Sequence, residues 1–251
     1  MRKYNQALLL LLLASSYTVK AGADDLSTCP RGVDVLYHER VPYMEKRADG
    51  IVGLVATPAA KAFSSLDIKV YWKEVPPKRQ LLRVKSNESC TCALGWFKNS
   101  QREVFAKYSS PIYRDKPQVA LIKSSNSRFS DGTQLKDTLL NHDLKLLMRD
   151  GYSYGSYIDK LIDKTRPAIK KVSYDNLKML ELIYYRRYDY FFISPEEIKT
   201  LIKHSSFQVN DFKSISFSDI PSGENRYIIC SQKVPDKLMK ELDESLVHNK
   251  H

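Results

Sequence analysis

The sequence has no apolar run long enough to cross a bilayer as a permanent anchor. Its most apolar stretch, over 7–14, holds six consecutive leucines and is too short for that role. No internal repeat, low-complexity tract or separating linker interrupts the chain. Histidine is scarce, with five residues, and no H-E-x-x-H or G-x-x-x-x-G-K occurs. Those absences leave no zincin helix or phosphate loop. No hydrolase chemistry is expected either, and neither a metal nor a cofactor. Cysteine is limited to Cys29, Cys90, Cys92 and Cys230, whose spacing does not suit zinc. Four cysteines allow three pairings, and a Cys90–Cys92 bridge would close a strained ring, so long-range pairs are favoured.

What is present begins with a leader. Arg2 and Lys3 precede the leucine run, and Ala21-Gly22-Ala23 follows it, the three-part layout of a cleavable signal peptide over 1–23. No cysteine follows the small residues, so a lipid anchor is not indicated. Export to the periplasm is expected, where disulfides persist. Loss of Arg2, Lys3 and Lys20 takes the formal charge from +11 to +8. The basic residues are scattered, which speaks against nucleic acid and for solubility or attraction to anionic ligands.

Downstream, strand and helix patterns alternate. Strands are expected over 32–37, 68–72, 91–97, 119–122, 144–148, 168–174, 188–193, 212–217 and 227–230. Helices are expected between them, one capped by Thr57 ahead of Pro58, one opened by Pro76-Pro77, and one capped by Asn99. Ser194-Pro195-Glu196-Glu197 reads as another helix start, with Ser194 as cap, and 235–247 as the last helix. This alternation predicts an α/β protein with parallel sheets covered by helices. Ligands in such sheets lie beyond the carboxyl ends of strands. The windows there are 37–43, 96–102, 149–155 and 194–197.

Several segments stand in a telling order: YHERVPYM from Tyr37, GLVATPAAKAF from Gly53, WKEVPPKRQL from Trp72 and CALGWFKNSQREVFAKYSSPIYRDKPQVALI from Cys92. DGYSYGSYID from Asp150, DNLKMLELIYYRRYDYFFISPEE from Asp175 and YIICSQKVPDKL from Tyr227 follow. In that order they resemble the amino-acid-type (family 3) extracellular solute-binding proteins of ABC transporters. The resemblance implies two lobes, each a mostly parallel sheet flanked by helices, joined by two crossovers. Lobe one would take 24–117 and 219–251, and lobe two 118–218. It also implies that the strand over 32–37 lies beside that over 91–97, with the 227–230 strand on the latter's other side. The pairs Cys29–Cys90 and Cys92–Cys230 follow from that order.

The resemblance further implies a ligand set. Arg102 matches the arginine of a (T/S)-x-x-R segment that clamps a carboxylate, with Asn99 where a threonine often stands. A guanidinium suits that role because it gives two parallel charge-assisted hydrogen bonds. Phe97 and Gly95 replace hydroxyl residues found in some members. Ser194 falls where the acidic partner of an ammonium is usual, with Glu196 close by. Tyr152, Ser153, Tyr154 and Gly155 occupy the turn where the second lobe's helix N-terminus meets the ligand, and backbone N–H groups there suit an anion. Trp96 and Tyr43 are candidates to stack on the solute, and Glu39 and His38 follow the first strand. The expected protein is a monomeric, non-enzymatic binder of a small carboxylate-bearing solute, serving a membrane permease. A lyase on the same fold, with Glu39, Glu196 or His38 as acid or base, is the alternative; a sensor for a membrane receptor is a further one.

Overall fold

The computed structural model describes residues 29–248, and the expected leader over 1–23 lies outside them. Continuous apolar runs become interior strands, and amphipathic stretches become the helices that cover them. The first run of elements is β1 (Val33–Tyr37), a hairpin of β2 (Glu45–Arg47) and β3 (Gly50–Val52), α1 (Ala56–Ser64), β4 (Val70–Glu74), α2 (Pro77–Ser86), β5 (Thr91–Phe97), α3 (Ser100–Glu103), β6 (Ala106–Tyr108) and β7 (Tyr113–Arg114). The second is β8 (Val119–Lys123), α4 (Leu135–Leu140), β9 (Leu146–Arg149), α5 (Ser156–Thr165), β10 (Ile169–Val172), α6 (Asn176–Tyr184), β11 (Tyr190–Ile193), α7 (Pro195–Lys203) and β12 (Phe212–Ile215). The chain then returns through β13 (Asn225–Ser231) to α8 (Asp236–His248).

Two sheets result. The first has the order β4-β1-β5-β13-β6, with β7 also on β13, and the second the order β10-β9-β11-β8-β12. The first therefore shows the neighbours expected for β1, β5 and β13. Each sheet is mostly parallel, as expected, and is made mixed by one reversed strand, β13 in the first and β8 in the second. β1 runs parallel to β4 and β5, whereas β13 runs antiparallel to β5, β6 and β7. In the second sheet β9 is parallel to β10 and β11, and β8 is antiparallel to β11 and β12. The parallel neighbours are joined through helical crossovers. β8 and β13 are entered directly from the other sheet, and they run against their neighbours.

Each sheet carries apolar packing on both faces, because successive side chains on a strand point to opposite sides. Leu146 and Phe192 pack with Leu135 and Ile158 on one face of the second sheet. Their chain neighbours Leu147 and Phe191 pack with Met179 and Ile202 on the other. In the first sheet Val35 and Leu94 meet Phe63 and Leu242, while Leu36 and Ala93 meet Val84. Among the described residues no apolar cluster draws strands from both sheets. The two halves are built separately, and what joins them is polar.

Disulfides join Cys29 to Cys90 and Cys92 to Cys230, with Cα atoms 5.7 and 4.0 Å apart. The second links residues directly opposite each other on β5 and β13.

Some local expectations shift. Thr57 does not cap α1: Val55 holds the cap position, and Thr57 Oγ1 instead accepts from Gly53 N at 3.0 Å. The strand expected over 68–72 starts later, as β4, because Ile68 N closes a turn on Leu66 O at 2.9 Å. The strands expected over 144–148, 168–174, 188–193 and 212–217 settle as β9, β10, β11 and β12. β2, β3, β6 and β7 had no counterpart in the sequence reading, since two or three residues are too few for alternation to register. Asn99 caps α3 as expected, accepting from Arg102 N at 3.0 Å.

Candidate functional site

The carboxyl ends of β1 and β5 from the first sheet face those of β9 and β11 from the second. Between them lies a cavity of about 40 Å³, whose wall includes Trp96, Arg102, Tyr152 and Ser153. That volume holds a few water molecules.

Arg102 forms part of the wall from the first half and is 6% exposed. Its position follows from the short helix that Asn99 caps. One guanidinium nitrogen donates to Phe97 O at 2.9 Å, and another reaches across to Gly151 O at 3.4 Å. The group also lies 4.8 Å from the centre of the Trp96 ring. Burial disfavours its charge and draws its pKa below the ordinary arginine value. No carboxylate among the described residues forms an ion pair with it. A buried guanidinium served only by carbonyls and a ring retains affinity for an anion.

Two further arginines line the cavity, and both are paired. Arg40, three residues beyond β1, donates to both carboxylate oxygens of Glu197 at 2.7 and 2.6 Å. Glu197 begins α7, so this ion pair bridges the halves. Arg226 on β13 makes the equivalent two-pronged contact with Asp115, at 2.7 and 2.6 Å. It also donates to Gly95 O at 2.9 Å. Gly95 is the extra residue of a β-bulge: Tyr227 pairs with Trp96 and Ile228 with Leu94, skipping it. Its φ of 76° is accessible to glycine without strain, and the bulge re-aims its carbonyl at the arginine. Glycine at this place, read from the sequence as a missing ligand hydroxyl, thus has a backbone role.

His38 is held by a chain of hydrogen bonds. Trp96 Nε1 donates to Gln80 Oε1 at 3.1 Å, which fixes the amide so that Gln80 Nε2 is the donor. That nitrogen donates to Val75 O at 2.7 Å and to His38 Nδ1 at 3.3 Å. A neutral ring then carries its proton on Nε2, which faces Tyr152 Oη at 3.0 Å across the cleft. Burial first, then Arg40, Arg149 and Arg226, hold the His38 pKa well below 6.5.

The turn over 151–155 differs from expectation. Its donors are already taken by the protein's own carboxylates. Asp159 accepts from Ser153 Oγ and, at 3.0 Å, from Tyr154 N. Glu224, just before β13, accepts from Ser156 N at 2.7 Å and so occupies the α5 N-terminus. Gly155 has φ 102°, and a Cβ there would lie 2.7 Å from Glu224 Cγ. The anion site expected at this helix start is filled from within. Tyr154 is buried against Phe192, and its hydroxyl accepts from Arg149 N at 2.9 Å. Residues 151–155 also spell Gly-Tyr-Ser-Tyr-Gly, the G-x-S-x-G pattern of a hydrolase nucleophile elbow, which the expectation of no hydrolase motif passed over. Ser153 here bonds to Asp159, and the hydrogen bonds of His38 go to Gln80 and Tyr152, so no histidine engages the serine as in a nucleophile-elbow hydrolase.

Other expected residues lie elsewhere. Tyr43 is fully buried beneath Arg226, whose guanidinium sits 4.0 Å from its ring centre, and does not face the cavity. Glu39 is exposed on an outer groove of about 500 Å³ beside Arg149, Asp175 and His204. Glu196 accepts from Lys116 N at 2.8 Å and Tyr113 Oη at 3.1 Å, at the passage between the sheets. Ser194 makes no cap bond; it donates to Asp115 at 2.9 Å and accepts from Gln118 at 2.7 Å. His38, Trp96, Arg102, Tyr152, Ser153 and Tyr154 are the candidates that come together on the cavity wall. Arg40, Gln118 and Arg226 join them there without having been singled out as candidates. A sequence signal existed for Arg226, a lone charge at the start of an apolar strand.

Comparison with known proteins agrees with this architecture. No family model matches the chain, and no curated protein matches it. Solved structures do. An ancestral arginine-binding protein bound to arginine is 19% identical, covers 88% of this chain and 93% of its own, and has a TM-score of 0.67. The substrate-binding protein of an amino acid ABC transporter is 16% identical, with 87% and 93% covered and a TM-score of 0.65. A structure described for glutathione import in Gram-positive bacteria, via GshT and the cystine importer TcyBC of Streptococcus mutans, is 15% identical, with 86% and 87% covered and a TM-score of 0.68. The chain therefore has the two-lobed α/β fold of the ABC-transporter substrate-binding proteins. Two of these three structures are named for binding and the third for import.

Proposed function

We propose that the protein is an exported solute-binding protein that traps a small carboxylate-bearing solute between its lobes and presents it to the permease of an ABC transporter. The observation that carries this reading is Arg102, buried on the wall of the interlobe cavity with carbonyls and a ring but no carboxylate for company. The leader pattern, the disulfides and the names of the similar structures support export and transport. The lobes divide as 24–117 with 219–251, and 118–218. The solute meets one lobe, and hinge bending at the two passages brings the other over it. Closure of this kind needs a polar seam that water can re-enter, and Arg40–Glu197, His38–Tyr152 and Lys78–Asp150 make such a seam. The protein acts as a monomer and carries out no covalent step.

Thermal melting of the mature protein against a panel of small carboxylates tests this. Saturating solute raises the melting temperature, by linkage of about 2.7 kcal/mol at a hundredfold excess over Kd. Arg102→Ala removes that shift while circular dichroism stays unchanged. A broad panel with no shift, or an Arg102→Ala variant that binds as well as the parent, overturns it.

A further inference from the structure

The cavity wall has an unusual charge pattern. Three guanidinium groups, of Arg40, Arg102 and Arg226, line it, and among the described residues no carboxylate does. Three acids lie just behind the wall: Glu197 and Asp115 are committed to arginine, and Asp159 accepts from Ser153 Oγ and Tyr154 N. Glu197 Oε1 accepts from Arg40, and Oε2 from Arg40 and from Asn176 Nδ2 at 3.2 Å. Asp115 Oδ1 accepts from Arg226, and Oδ2 from Arg226 and Ser194. Each pair is neutral as a unit, which leaves Arg102 as the one wall arginine without an ion-pair partner among the described residues, offset only by the field of Asp159.

The neutral acceptors are committed as well. Gly95 O takes Arg226, and Phe97 O and Gly151 O take Arg102. The ring faces follow suit: Trp96 carries Arg102 at 4.8 Å, Phe97 carries Arg226 at 4.6 Å, and Tyr152 carries Arg149 at 4.6 Å. A ligand ammonium entering this space would lose its water, face three guanidinium groups and find its usual partners occupied. A buried charge without a partner costs several kcal/mol. An anion loses its water too, but beside Arg102 it gains an opposite charge that offsets the loss.

We infer that the cavity takes a small amine-free organic anion, such as a hydroxy or keto carboxylate, in preference to a zwitterionic α-amino acid. Gln118 and Tyr152 present neutral amide and hydroxyl groups for the hydroxyl or keto oxygen. This inference rests on the solute-capture reading above and specifies its substrate class. It also separates this chain from the structures it resembles, which are named for amino acids or glutathione.

Isothermal titration with matched probes that differ only in the amine tests it: L-lactate and pyruvate against L-alanine, 2-hydroxyglutarate and 2-oxoglutarate against L-glutamate, and 2-hydroxyisocaproate against L-leucine. In at least one set the amine-free member binds about tenfold or more tighter, a difference of roughly 1.4 kcal/mol, and Arg102→Ala abolishes its heat. An amino acid that binds as tightly as, or tighter than, its amine-free partner overturns this inference and leaves the capture reading standing. Silence from every probe and from the wider carboxylate panel overturns both.

Discussion

Arg40 and Glu197 stand 157 positions apart in the chain and meet through two hydrogen bonds of 2.7 and 2.6 Å. One belongs to the loop after β1 and the other to the first turn of α7, so the pair crosses the cleft. Glu197 is almost fully buried, and the Arg40 side chain largely so. Removing one member of such a pair strands the other in a dry setting, at a cost of about 3–5 kcal/mol unless the site opens to water. On the proposed hinge bending, parting the lobes would open the site and hydrate Arg40.

Glu197→Ala is therefore expected to favour the open form. Small-angle scattering should report a larger radius of gyration than for the parent, with melting temperature lowered by less than the full cost above. An unchanged radius together with unchanged stability would show that the ion pair does not hold the lobes.

A pH dependence follows from His38. Its folded pKa lies well below 6.5 because burial and three arginines oppose its charge. The unfolded chain accepts a proton that the folded chain refuses, so this group's contribution is complete above pH 6.5 and declines as pH falls below it. Protonating Nδ1 would also place a donor against Gln80 Nε2. The melting temperature of the parent is expected to drop between pH 6.5 and about pH 5, and that drop should flatten in His38→Gln. Parallel slopes for the two proteins would remove His38 as its cause.

Gly155→Ala probes the self-filled helix start. The new methyl meets Glu224 at 2.7 Å in a backbone conformation of positive φ. A loss of about 1–3 kcal/mol in urea denaturation is expected. Glu224→Ala should cost about 0.5–2 kcal/mol, as capping losses do. If both are neutral, the carboxylate does not cap α5.

The disulfides predict no reactive thiol in the native protein. Replacing Cys92 and Cys230 together by alanine should lower stability by about 2–5 kcal/mol. Four titratable thiols in the secreted protein would contradict the pairing seen here.

The fold was legible because its signals are local and repeated. Apolar runs marked β5, β8 and β11, and Asn99 announced its helix three residues before Arg102. The site was legible only in part. The windows past strand ends contained Arg40, Trp96, Arg102, Tyr152 and Ser153, but the partners of Arg40 and Arg226 lie 157 and 111 residues away. No short-range pattern encodes such contacts. The choice of Glu196 over Glu197 shows the limit well. Adjacent helical residues point about 100° apart, so one reaches across to Arg40 while the other turns to Lys116 and Tyr113. Which one does so depends on how α7 is rotated against the sheet.

The bond between Cys92 and Cys230 encloses the entire second sheet in a covalent ring of the polypeptide. A protease that cuts once anywhere within that ring leaves a nicked molecule of undiminished mass, whose two pieces separate only on reduction. A protein built this way can lose the continuity of its second half and still keep that half tethered at both ends.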